Sequence, residues 1–119
     1  MSDCHYRNTP QRQNFCSGEG SSKMPNRDQL ELLFQGAEVW NLWREQNPEV
    51  EIDLSDASLH RTELYKVNLK GANLKGVHFY RTILREANLS GANLQNSTFD
   101  GAFLYDANLE KADLSGSIL

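Results

Sequence analysis

Large apolar residues recur at every fifth position along the C-terminal two-thirds of the chain. The series runs Leu54, Leu59, Leu64, Leu69, Leu74, Phe79, Leu84, Leu89, Leu94, Phe99, Leu104, Leu109, Leu114 and Leu119, fourteen consecutive sites held only by Leu or Phe. Two residues before each stands a small or β-branched residue: Ile52, Ala57, Thr62, Val67, Ala72, Val77, Thr82, Ala87, Ala92, Ser97, Ala102, Ala107, Ala112 and Ser117. The other three positions of each unit are mostly polar or glycine. A helix repeats its buried face about every 3.6 residues and a strand every second residue. On a helix, five residues turn through about 500°, so the Leu series would wander around the axis. In a strand, successive sites would fall on opposite faces. One arrangement buries them all. Each unit forms a side with one large and one small inward side chain, the chain turns a corner, and each coil stacks on the one before. Four sides make a coil of twenty residues, with coils about 4.8 Å apart. Phe79 and Phe99, the two Phe centres, are twenty apart, and so are Tyr65, Arg85 and Tyr105 at one outward position.

A different pattern precedes the repeat. Asp28 followed by Glu31 reads as a helix N-cap with a capping box. Leu30, Leu33, Ala37 and Trp40 then follow at helical spacing, flanked by Phe34 and Trp43, and Asn47-Pro48 ends the pattern. One helix over 28–46 is expected to lie on the first coil and cover Ile52, Leu54, Leu59, Leu64 and Leu69. Paired tryptophans could form a ligand cage, but aromatics at helical spacing are more often core. Residues 1–25 are rich in Asn, Gln, Ser, Gly and Arg with few apolar side chains. They are expected to be disordered, because so little apolar surface cannot offset the entropy of ordering. Met24 is an alternative start, and a chain beginning there should keep its fold. The expected organisation is an arm over 1–25, a capping helix over 26–48 and the repeat over 49–119, about three and a half coils.

The units ANLKG (72–76), ANLSG (87–91), ANLQN (92–96), ANLEK (107–111) and ADLSG (112–116) resemble the A(D/N)LXX motif of the pentapeptide-repeat family. IDLSD, ASLHR, TELYK, VNLKG, VHFYR, TILRE, STFDG and AFLYD match it loosely, so the resemblance covers residues 52–119. It implies an all-β solenoid, a right-handed quadrilateral β-helix, with the handedness taken from the family. WNLWR (40–44) is similar to the short WN-x-WR helix that precedes the first repeat in many bacterial members, which implies one N-terminal capping α-helix built on Leu33, Ala37, Trp40 and Trp43. The motif encodes the core and leaves the surface free, so it says little about function.

Charge narrows the function classes. The net charge is −4, with seven basic and nine acidic residues in 50–119 and five basic and seven acidic in 1–49. Neither part carries a basic field for nucleic acid or an anionic membrane. No apolar run approaches the roughly eighteen residues of a membrane span, and no signal-peptide core follows Met1. A cytoplasmic location is therefore expected. Cys4 and Cys16 lie in the polar arm and read as incidental thiols, although Cys4, His5 and Cys16 could supply three of the four ligands of a metal site. His60 and His78 fall on one side in adjacent coils with Asp100 one coil further. They lack a concavity and a nucleophile, so solvated side chains are the better reading. No cofactor, metal or catalytic residue is expected. The recurrent Gly71, Gly76, Gly91, Gly101 and Gly116 mark corners, where positive φ or tight turning is needed.

Sorting the units by side exposes an asymmetry. Two sides carry near-consensus units whose outward Asn, Asp, Ser, Lys and Gln read as plain solvated surface. A third gives TELYK, TILRE and AFLYD, with Ile83 and Phe103 in one outward column and Tyr65, Arg85 and Tyr105 in the next. Its neighbour gives ASLHR, VHFYR and STFDG, with His60, Arg61, His78, Tyr80 and Arg81 outward. Exposed Ile, Phe, Tyr and Arg gathered together are what interfaces enrich. The expected function is a non-enzymatic scaffold binding an unidentified protein through Tyr65, Tyr80, Arg81, Ile83, Arg85, Phe103 and Tyr105. The family resemblance suggests an alternative, a DNA-mimicking protein that engages a type II topoisomerase, which would need a longer rod with a continuous acidic stripe. A further alternative is a piece of a longer repeat protein. The last coil ends on the core residue Leu119, so a homodimer through that coil is also expected.

Overall fold

The structure, a computed structural model, describes residues 26–119; the readings made on Cys4, His5, Cys16, Met24 and the N-terminal arm lie outside them. The repeat winds as a four-sided coil. In each unit a parallel bridge joins the residue before the inward centre to the one twenty positions later, from Asp53 with Asn73 through to Thr98 with Ile118. The Leu54 N–H donates to the Asn73 carbonyl at 2.9 Å, and the Asn73 N–H donates to the Ile52 carbonyl at 2.9 Å. Each rung is thus hydrogen-bonded to the coils on either side. Sides are numbered by their inward centres: the first holds Leu54, Leu74, Leu94 and Leu114, and the second Leu59, Phe79, Phe99 and Leu119. The third holds Leu64, Leu84 and Leu104, and the fourth Leu69, Leu89 and Leu109. From Leu54 to Leu94 every centre is fully buried, and Phe79 stacks on Phe99 with centroids 4.9 Å apart and planes 11° from parallel. Thr82 and Ser97 are also buried, and their hydroxyls donate to the carbonyls of Leu59 and Leu74 in the preceding coil, so their burial leaves no orphaned polar atom.

The corners follow one rule. All thirteen residues two past a centre, from Asp56 to Gly116, have positive φ. The N–H of the next residue closes the turn, as when Ala57 donates to the Leu54 carbonyl at 3.1 Å. Positive φ at the third residue of a four-residue turn is the type II signature. Eight of the thirteen are not glycine, Asp56, Arg61 and Lys66 among them. The inter-coil bonds hold them in a region that costs L-residues roughly 1–2 kcal/mol.

The outward Asn and Asp of the consensus units are not plain solvated surface. The side-chain oxygens of Asp53, Asn68, Asn73, Asn88, Asn93, Asn108 and Asp113 each accept the backbone N–H two residues on, at 2.9–3.1 Å. These are Asx turns that brace the approach to the corners that follow these units. At Asp113, hydrogen bonds from the Ser115 hydroxyl and N–H hold the carboxyl below its ordinary value. The first and fourth sides carry such a residue in every coil. The second and third carry none: their equivalents are Ser58, His78, Thr98 and Ile118, and Glu63, Ile83 and Phe103.

The N-terminal cap is two helices, not the single helix expected over 28–46. α1 spans Arg27–Leu33 and α2 spans Ala37–Gln46, with Gly36 at φ 114° between them. The cap residue of α1 is Asn26, whose side chain accepts the Gln29 N–H at 3.0 Å; Asp28 lies within the first turn. A straight helix of that length would run about 27 Å, too long for the end of one coil. The break folds both helices onto it. Leu32, Leu33, Trp40 and Trp43 join the core with Ile52, Leu54, Leu59, Leu64 and Leu69, while Leu30 and Ala37 are partly buried. The cap also supplies hydrogen-bond partners to the first coil along its first and fourth sides. Gln29 donates to the Glu51 carbonyl and accepts the Asp53 N–H, both at 2.9 Å, in the manner of a neighbouring strand. Asn41 does the same with the Lys66 carbonyl and the Asn68 N–H. Trp40 Nε1 and Arg44 donate to the Asn68 carbonyl at 2.8 and 3.0 Å, and Arg44 reaches the Lys70 carbonyl at 3.2 Å.

The opposite end is open. Leu104, Leu109 and Leu114, expected in the core, are only partly buried, and Leu119 is 78% exposed. Among the described residues no coil stacks on them, so each keeps one side in solvent.

Candidate protein-interaction face

Every third-side turn lacks the Asx brace, which leaves its outward positions free for other side chains. The bridges set Glu63, Ile83 and Phe103 one above another. Two residues on, in the other outward column, stand Tyr65, Arg85 and Tyr105. The Arg85 guanidinium lies 5.8 Å from the centre of the Tyr65 ring and 5.6 Å from that of Tyr105, between the two. Such contacts fix a long side chain through attraction of the cation to the ring faces. Between the columns lies a depression of about 490 Å³ lined by Glu63, Tyr65, Ile83, Arg85 and Phe103. Phe103 is 54% exposed and Tyr105 66%, whereas Ile83 is half-buried in the floor. Lys66 pairs with Glu86 at 3.9 Å at the far corner, and Glu86 also accepts the Tyr65 hydroxyl at 3.4 Å.

The apolar strip extends further than the repeat alone indicates. A second depression of about 490 Å³ adjoins the first, shares Glu63 and Tyr65 with it, and is walled by Phe34, Ala37 and Val39 of the cap. Phe34, expected to flank the helical stripe, is 51% exposed, and Val39 is 37% exposed. The break at Gly36 turns Phe34 outward beside the third side. Neither residue stands out in the sequence, because their membership depends on how the cap sits.

The second side is a separate cluster. His60 packs edge-on against Tyr80 at 5.6 Å and against His78 at 6.2 Å, and the Arg81 guanidinium lies 5.8 Å from the Tyr80 ring. His78 Nδ1 is 3.2 Å from Thr98 Oγ1. Among the described residues no three His, Cys, Asp or Glu side chains gather as a metal site, so His60, His78 and Asp100 are not brought together as one. Tyr80 thus belongs to the second side, while Arg81 stands at the corner between the second and third sides. No outward column of the repeat is acidic throughout: Arg61 and Arg81 share one, and Lys66 precedes Glu86 and Asp106 in another.

Comparison with known proteins agrees with the geometry. The family model described as pentapeptide repeats matches residues 52–91 and 82–119, in eight copies. No curated protein matches the sequence. Among solved structures, a pentapeptide repeat protein from the cyanobacterium Cyanothece is similar at 30% identity and TM-score 0.54, over 55% of this chain and 45% of its own. A pentapeptide repeat protein of the Arabidopsis thaliana thylakoid lumen is 35% identical over 50% of this chain and 45% of its own, with TM-score 0.45. HetL, a pentapeptide repeat protein involved in heterocyst differentiation regulation in Nostoc, is 35% identical over 56% of this chain and 33% of its own, with TM-score 0.37. The chain thus matches less than half the length of each of these three structures. With the family model covering the whole repeat and the coil closing in four sides of five residues, the chain belongs to the pentapeptide repeat family and folds as its right-handed quadrilateral β-helix.

Proposed function

We propose that this protein is a non-enzymatic scaffold that binds another protein through the third side of its solenoid. The observation that supports the reading is the concentration of exposed Tyr65, Phe103 and Tyr105 on a side without the Asx-turn residues that occupy the consensus sides. An aromatic strip at solvent costs solubility, and it is the composition that interface cores enrich. The rigid ladder beneath holds the side chains in place before binding, which lowers the entropy lost on association. Affinity capture from a lysate of the source organism tests the reading. A species retained by the wild-type protein should be lost with Phe103→Asp/Tyr105→Ser and kept by Lys75→Glu on the first side. Equal retention by both variants would move the interface elsewhere.

We further propose that the 119-residue polypeptide self-associates through its open last coil. Each half-exposed Leu forfeits about 1 kcal/mol of burial, and an end-to-end two-fold pairing would recover it and cover the unpaired backbone edge. Light scattering at tens of micromolar should report a dimer or larger species. A clean monomer would mean that the last coil stays open in solution.

A further inference from the structure

We infer that the third-side groove takes an acidic segment of its partner, one in which a carboxylate stands close to a large apolar side chain. The inference rests on the reading of this side as a protein-binding face and adds the chemistry of what binds. Three features carry it. Arg85 is clasped between Tyr65 and Tyr105, and among the described residues it meets no carboxylate. An arginine fixed in this way has lost rotamer freedom in advance and keeps its planar fork of donors, which suits bidentate binding of a carboxylate.

The second feature is charge. In a chain of net charge −4, the surroundings of Ile83 are locally basic. Arg61 and Arg81 stand one coil apart at the corner beside it, both at positive φ, and Arg85 stands on its other side. Glu63 is the one carboxylate lining the groove, while Glu86 is taken up by Lys66 and Tyr65. Stacked like charges repel across a ladder, and an acidic partner would relieve that repulsion. The third feature is the apolar floor. Ile83 and Phe103 form a wall next to Arg85, so an apolar side chain and a neighbouring carboxylate would be met together. Desolvation of the charge pair by the apolar contact strengthens it, as at interface hot spots.

Selection of a random peptide display library on the immobilised full chain tests this. Enriched peptides should carry Asp or Glu within a residue or two of Leu, Ile or Phe. A synthetic copy, titrated calorimetrically, should lose about tenfold or more in affinity with Arg85→Met. Arg85→Lys, which keeps the charge and loses the fork, should recover only part of it. Phe103→Asp should abolish binding. Melting curves of the variants should match the wild type, since both side chains are exposed. Peptides that depend on Phe103 but lack acidic residues and ignore Arg85→Met would overturn the inference and leave the face standing. If no selected peptide responds to either substitution, both fall.

Discussion

Leu89→Lys is expected to abolish cooperative folding. Leu89 is fully buried on the fourth side, between Leu69 one coil below and Leu109 one coil above. Four walls close the interior and Leu109 lies above it, so a lysine there could bring its ammonium to water only by displacing core side chains. Truncation of a buried Leu alone costs about 2–5 kcal/mol, and an unpaired buried charge adds several more. Domains of this size are held by roughly 5–15 kcal/mol, and a solenoid passes its stability from coil to coil, so a broken centre uncouples both halves. The circular dichroism melt should lose its sigmoidal transition, while Leu89→Met, which keeps volume and polarity, should cost less than about 1.5 kcal/mol. A Leu89→Lys protein melting within a few degrees of wild type would show that the side chain faces outward and that the five-residue register is misassigned.

The second large effect is at the cap. Trp40→Ala should cost about 3–5 kcal/mol, the range for buried aromatic truncation. Trp40 is fully buried, packs on Trp43 at 5.4 Å, and donates its indole N–H to the Asn68 carbonyl. A finer comparison separates packing from hydrogen bonding. Trp43 is as buried as Trp40, but its indole N–H has no acceptor among the described residues. Trp40→Phe should therefore lose more stability than Trp43→Phe in chemical denaturation, because only the first gives up a bond. Equal losses would mean that the cap acts through apolar cover alone. A chain beginning at Glu51 lacks both helices and should aggregate, since Leu54, Leu59, Leu64 and Leu69 and the first coil's backbone edge would face water together.

Much of the candidate face is legible in the sequence because departure from a strict repeat is itself a signal. Tyr65, Arg85 and Tyr105 fall at one position of successive coils, and the structure places Arg85 between the two rings. What the spacing does not reveal is why that side is free. The Asx turns of the first and fourth sides are visible only when the side-chain oxygens are seen to meet the N–H groups two residues on. Phe34 and Val39 also escape sequence reasoning, because a helical stripe marks which residues align but not which of them a neighbour covers. Tyr80, gathered with the others as one candidate surface, belongs to a different side, and Arg81 stands at the corner between the two.

The sequence by itself determined the solenoid. A five-residue period of Leu and Phe, kept from Leu54 to Leu119, has no other way to bury its large side chains. The twenty-residue coil was also written there, in the spacing of Phe79 and Phe99, because equal volumes stack best in one column. Tertiary structure alone decided three things. It broke the cap at Gly36, because a straight helix overruns the end of one coil. It gave Gln29, Asn41 and Arg44 their partners, because which backbone groups lie unpaired is fixed only when the first coil has closed. It also imposed positive φ on corner residues such as Arg61 and Glu86, whose own preferences oppose it, because the hydrogen bonds between stacked coils outweigh the local cost of each turn.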